Sequence, residues 1–146
     1  MSDETTGADP DPDLEFEAED TEEHAAAAAA VSARTVRITQ MDLDGLAYGA
    51  GAVDGILGPR TREAIKEYQF NWQMRVTGRL TSQTYHKLLA HVRVVQVEAG
   101  GITADGIYGP ATTAAVERFQ RRHHLHVDGI AGPATHAAMG LKYQGP

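Results

Sequence analysis

Residues 54–61 read DGILGPRT, residues 105–112 read DGIYGPAT and residues 128–135 read DGIAGPAT. A weakened fourth copy, TGRLTSQT, occupies 77–84. The copies at 54 and 105 stand 51 residues apart, and so do those at 77 and 128. The body of the chain is therefore a tandem pair of units of about fifty residues, each holding the phrase twice.

The phrase has a physical reading of its own. Asp followed by Gly favours a tight turn, with the Asp carboxylate bonding nearby amides and Gly accepting positive φ. This assigns Asp54, Gly55, Asp105, Gly106, Asp128 and Gly129 to turns, with the following Ile as an apolar plug into the core. Gly58, Gly109 and Gly132 then fall where a helix N-cap belongs. Pro59, Pro110 and Pro133 fall at the first helical position, where a missing N–H costs nothing. Thr61, Thr112 and Thr135 can turn a hydroxyl toward the first turn. Each phrase is a turn leading into a helix.

Working outward, Ala64, Ile65, Tyr68 and Trp72 make one apolar stripe after Pro59, and Ala115, Val116 and Phe119 make its counterpart after Pro110. Gln120 stands where Gln69 stands. The second phrase of each unit opens a shorter helix, ending near Leu88–Leu89 and near Met139. Upstream, Val36, Gln40, Leu43 and Leu46 predict another amphipathic helix, with Val92 to Val97 as its counterpart. The expected architecture is all-α: a first unit over 34–90, a second over 91–141, three short helices in each, and little or no sheet.

Residues 1–33 differ sharply from this body. They hold eleven acids and no Lys or Arg, whereas the rest holds nine acids and all thirteen bases. The net charge of -7 thus averages a tail of -11 and a body of +4. Self-repulsion, Pro10, Pro12 and few large apolar groups predict disorder for the tail, with a short Ala25–Ala30 run of helical propensity. The tail reads first as a solubilising, flexible leader; the alternative is a docking segment, with Leu14 and Phe16 as anchors that fold onto a basic partner. The acidic start does not suit a secretory leader, and no apolar run approaches the ~20 residues that span a bilayer.

The residues from Val36 through Leu88, including Gln40, Tyr48, Gly51, Asp54, Gly58, Pro59, Gln69 and Gly78, resemble the peptidoglycan-binding domain of bacterial and phage cell-wall hydrolases. Asp105 through Met139 resemble it a second time. The resemblance implies a three-helix module that holds its partners on the cell wall. The second unit departs from the pattern before its first Asp-Gly turn, where it reads EAGGITA, which predicts a first helix shortened or fused to the preceding one. The first unit has lost the Asp and Gly-Pro of its second phrase.

The resemblance places the ligand in a shallow groove, where Tyr48, Arg60, Gln69 and Trp72 are the candidates in the first unit and Tyr108, Gln120 and Arg121 in the second. Aromatic faces stack on sugar rings and Arg pairs with stem-peptide carboxylates. Tyr68 and Phe119 belong to the core, while Trp72 and Tyr108 suit either core or groove. His123, His124, His126 and His136 suit a solvated helix terminus better than a metal site, so no metal or other cofactor is expected. The nine acids of the body form no nucleophile–base arrangement, and only Arg118, Arg121 and Arg122 cluster as a basic patch. Neither an enzyme nor a nucleic-acid binder is expected.

The expectation is a non-catalytic protein that binds peptidoglycan and anchors a partner or particle to the wall, with the tail as the docking segment. Its place is the cell wall, or a virion or injection device released by assembly or lysis. The alternative is a structural subunit of a phage or phage-tail-like particle that keeps the fold without wall binding.

Overall fold

The computed structural model describes residues 16–18 and 31–143. Five helices follow one another: α1 (Ala33–Gly45), α2 (Pro59–Asn71), α3 (Ser82–Ala99), α4 (Pro110–Arg122) and α5 (Pro133–Ala138). Among the described residues there is no strand. The Ala25–Ala30 run and Leu14 lie outside the described residues.

The helix starts follow the local chemistry. Gly58, Gly109 and Gly132 are extended N-caps, each followed by Pro at the first helical position. The weakened copy reaches the same result by different means. Thr81 caps α3 by accepting from the Thr84 N–H at 3.1 Å, the side-chain bond that a glycine cap lacks. Helices α1, α2, α4 and α5 end alike. A left-handed residue (Ala47, Gln73, His124 or Gly140) turns the chain, and the next N–H bonds five residues back, as Tyr48 to the Leu43 carbonyl at 2.8 Å.

One device recurs at every turn. The Gln40 amide on α1 donates to Asp54 Oδ1 (2.9 Å), the Ile56 carbonyl (3.1 Å) and Thr61 Oγ1 (3.0 Å), while its carbonyl accepts from the Asp54 and Gly55 N–H groups (3.0 Å each). Gln96 holds Asp105, Gly106, Ile107 and Thr112 in the same way. Gln120 holds Asp128, Gly129, Ile130 and Thr135. In the weakened copy Gln69 does so with Thr77 Oγ1 in place of the Asp carboxylate (3.2 Å) and Thr84 as the distal hydroxyl (3.0 Å). Gly78 keeps φ at +74° there. The divergent sequence at 77–84 is a full structural equivalent. The repeated threonines thus serve the glutamine of the preceding helix rather than their own first turn.

The isoleucine of the phrase is not the core plug expected of it. Ile56 is 64% and Ile130 40% exposed, whereas the next position is the more buried one: Tyr108 at 5%, Ala131 at 0% and, in the weakened copy, Leu80 at 0%, with Leu57 only partly buried. The positive-φ glycine (Gly55, Gly106, Gly129) reverses the chain, so the inward position comes one residue later than strict reading from the turn suggests.

The units are not separate. Helix α3 runs 18 residues and supplies both the last helix of the first unit and the first helix of the second, the fusion foreseen for the second unit. The boundary expected between 90 and 91 falls inside it. The second unit also closes on α1. The Tyr108 ring lies where a Cβ on Gly45 would sit, the Tyr108 N–H donates to Asp42 Oδ1 (2.8 Å), and the Ala131 N–H donates to the Gly45 carbonyl (2.7 Å). The Tyr143 hydroxyl reaches the Leu46 carbonyl at 2.6 Å. A single apolar core runs from Val36, Leu43 and Tyr68 through Leu88 and Val92 to Val116 and Phe119.

Residues 16–18, within the segment expected to be disordered, lie on this body. Phe16 and Glu17 are buried, with the Phe16 ring 5.2 Å from that of Tyr85. The anchor picked out for a partner is seated on the chain itself.

Candidate functional site

Trp72 caps the C-terminus of α2 and is half-buried. Its indole N–H donates to the Tyr48 hydroxyl at 3.0 Å, which also accepts from Asn71 Nδ2 at 3.2 Å. The Tyr48 ring meets Tyr68 edge-on at 5.3 Å. On its other flank Trp72 meets the His91 ring edge-on at 4.8 Å.

His91 is fixed by a directed chain of hydrogen bonds. His136 Nδ1 lies 3.0 Å from the Gly132 carbonyl, which accepts only, so that nitrogen carries the proton and His136 Nε2 is an acceptor. His91 Nε2, 2.9 Å away, must therefore donate. Its Nδ1 then accepts from the Tyr68 hydroxyl at 3.2 Å. The pair is neutral. Burial, reinforced by the repulsion that a protonated His136 would exert and by the Lys87 charge, lowers His91 to about 3, and burial lowers His136 as well. These bonds hold the wall of the site rather than a proton donor for chemistry.

Trp72 and His91 open onto a pocket of about 310 Å³ lined by Lys87, Ala90, Val94, Leu141 and Lys142. Lys87 Nζ stands 5.9 Å from the Trp72 ring centroid, within cation–π range. The floor is apolar and the rim carries two ammonium groups. Such a surface suits a sugar ring with a carboxylate attached.

Of the seven groove residues expected from the sequence, only Trp72 lines this pocket, and Tyr48 lies buried behind it. Gln69 and Gln120 are 1% exposed, with their amides committed to the turns as interior ties. Tyr108 is buried at the unit junction and donates to the Gly129 carbonyl at 2.6 Å. Arg60 is exposed and bonds the Gly49 carbonyl at 3.1 Å. Arg121 is exposed on the last turn of α4. Neither lines the pocket. Tyr68 and Phe119 are core, as expected.

His91, Lys87 and Lys142 were not foreseen. The signal was the four-residue spacing of Lys87 and His91 on one continuous helix, hidden by breaking the chain at 90. His123 stacks on Phe119 at 4.0 Å. Among the described residues no group of three or more His, Cys, Asp or Glu could hold a metal ion, and no helix is long and apolar enough to cross a membrane.

This is a helical binding module with clasped turns and a shallow aromatic pocket. Residues 32–88 and 96–139 match the family model described as "Putative peptidoglycan binding domain", and the chain belongs to that family, in two tandem copies that share α3. The family is one of binding domains, and membership supports peptidoglycan as the partner and the cell wall as the place of action. No curated protein and no solved structure matches the chain significantly.

Proposed function

We propose that the chain binds peptidoglycan without cleaving it and holds a partner or particle against the wall. The Trp72 pocket carries this reading. It offers an aromatic wall for a glycan ring, while Lys87 and Lys142 face the lactyl or stem-peptide carboxylates. A non-catalytic role is supported by the state of the acids. Asp54, Asp105 and Asp128 are bound to glutamines in the turns, and Asp42 is buried at the unit junction. None forms a carboxylate pair across a cavity of the kind hydrolysis of a glycosidic bond needs.

The test is co-sedimentation of the full chain with insoluble sacculi, beside Trp72→Ala and Lys87→Ala/Lys142→Ala. Wild-type protein pellets with sacculi, Trp72→Ala weakens binding about tenfold or more, the loss of one buried aromatic anchor, and the lysine pair adds a salt-sensitive share. Full retention by Trp72→Ala moves the site elsewhere. No sedimentation of folded wild-type protein ends the wall reading and leaves the fold in an assembly role.

A further inference from the structure

The second site lies where residues 16–18 sit. Glu17 is held by a fork: Arg62 Nη1 to Oε1 and Nη2 to Oε2, both at 2.8 Å, with the Leu80 N–H adding 2.7 Å to Oε1. The Glu17 N–H donates back to the Leu80 carbonyl at 2.8 Å. This is a built carboxylate receptor, with planar bidentate recognition and a backbone donor beside it.

Three observations separate the receptor from its occupant. Arg62 and Leu80 belong to the matched module, whereas Glu17 lies outside the matched residues. Arg62 Nη1 also donates to the Gly78 carbonyl at 3.1 Å, so the module itself holds the guanidinium in place. The equivalent N–H of the second unit's two turns is satisfied from within the module, Tyr108 by Asp42 and Ala131 by the Gly45 carbonyl. Among the described residues Leu80, fully buried, has only Glu17 to accept from its N–H, and a buried N–H needs an acceptor. A cleft of about 720 Å³ continues from Glu17 past Leu57, Pro59 and Lys66, room for more than one side chain.

We propose that the Arg62–Leu80 seat binds a free peptide carboxylate of the peptidoglycan stem, and that Glu17, anchored by Phe16, fills it in cis as a tethered competitor. The ligand class rests on the wall-binding reading above; the site does not. A tethered occupant acts at roughly millimolar effective concentration, so the seat answers to dense polymer rather than to scattered fragments.

The test uses the full chain with Phe16→Ala/Glu17→Gln, which empties the seat, and a fluorescent peptide of residues 13–20. The peptide binds the emptied chain and binds wild-type about tenfold more weakly or less, the mark of a tethered competitor. Arg62→Ala in the emptied chain abolishes binding; where that variant fails to fold, Arg62→Lys keeps the charge, loses the fork and weakens binding. A soluble stem peptide with free carboxylates displaces the probe, and its amidated form does not. No probe binding to a folded emptied chain overturns the exchangeable seat. Displacement by neither form, or by both equally, overturns the wall carboxylate as its ligand. Sedimentation that needs Trp72 but shows no gain on emptying the seat sinks this inference alone, while displacement by the free acid without sedimentation sinks the Trp72 reading and keeps the seat.

Discussion

Replacing Gln96 by alanine tests the device that closes every turn of this fold. The Gln96 amide donates to Asp105 Oδ1 (2.9 Å), the Ile107 carbonyl (3.1 Å) and Thr112 Oγ1 (2.8 Å), and its carbonyl accepts from the Gly106 N–H (2.9 Å). Gly106 and Thr112 are buried, so alanine strands the Gly106 N–H, takes a donor from the Thr112 hydroxyl, which keeps its own bond to the Ile107 carbonyl at 3.2 Å, and leaves a small void. The stranded N–H costs about 1–3 kcal/mol, and with the lost bonds and the void the total is about 3–4 kcal/mol. That is a large part of the ~5–15 kcal/mol that holds a domain folded. Urea unfolding followed by circular dichroism reads it as a midpoint lowered by about 1.5–2 M, for a slope of about 2 kcal/mol/M. Gln83→Ala on the exposed face of the same helix is the control and stays within about 0.5 kcal/mol. Gln96→Glu sharpens the experiment. It keeps the acceptor but sets a second carboxylate against Asp105, so its stability rises as pH falls and a carboxyl proton returns as donor. A loss under 1 kcal/mol for Gln96→Ala, or a glutamate variant indifferent to pH, refutes the clasp as a stabilising element.

Gly45→Ala drives a methyl group into the Tyr108 ring and lowers the melting temperature by several degrees, as overpacking at a cost of about 1–3 kcal/mol requires; an unchanged melting temperature shows that the junction yields. Asp42 is buried with Oδ2 unpartnered, and burial, with the charge of Asp105 adding to it and the Tyr108 N–H opposing it, raises its carboxyl to about 8. The folded state therefore holds a proton that the unfolded state has lost, and stability falls as pH rises from 3.8 toward 8. Asp42→Asn removes that slope in a pH series of urea midpoints, and a slope that persists assigns it to other groups. Gln73 and His124 sit at φ of 59° and 57°, where a side chain costs about 1 kcal/mol, so Gln73→Gly and His124→Gly each raise the urea midpoint slightly; a fall shows that their side-chain packing outweighs the backbone strain.

Much of the fold was legible because its punctuation is local. Gly-Pro at the cap and first position, Asp-Gly in the turn and the stripe Ala64, Ile65, Tyr68 each act within a few residues, and the helices start where those rules put them. The isoleucine plug failed on a local effect, the positive-φ glycine before it; the other residues were hard to place because their partners lie far apart in sequence. Gln69 and Gln120 look like surface groups until the turns 8 residues on, and the threonines 15 residues on, fold back onto them. The recurrence of a glutamine before all four phrases was the available signal. Glu17 and Arg62 are 45 residues apart, and an acidic run gives no hint which carboxylate will find a guanidinium. Tyr108 was ambiguous for the same reason, since its burial depends on Gly45 in another unit.

The clasped turn also accounts for two different candidate sites on so small a chain. Each turn uses its Gln, its Asp or Thr and its Gly for closure, and at Leu80, Tyr108 and Ala131 the N–H of the fourth residue of the phrase is directed at something else. In the second unit that something is α1, through Asp42 and the Gly45 carbonyl, and the ports there join the units. The joining helix α3 in turn carries Lys87 and His91 to Trp72 and creates a pocket that neither repeat would have alone. In the first unit the port at Leu80 takes no acceptor from the module and accepts a carboxylate from outside it. Divergence between the repeats thus divides one geometry in two: it joins the units in the second and, on the inference drawn above, serves recognition in the first. The cation that makes the difference is Arg62, whose counterpart seven residues before Gln120 is Thr113.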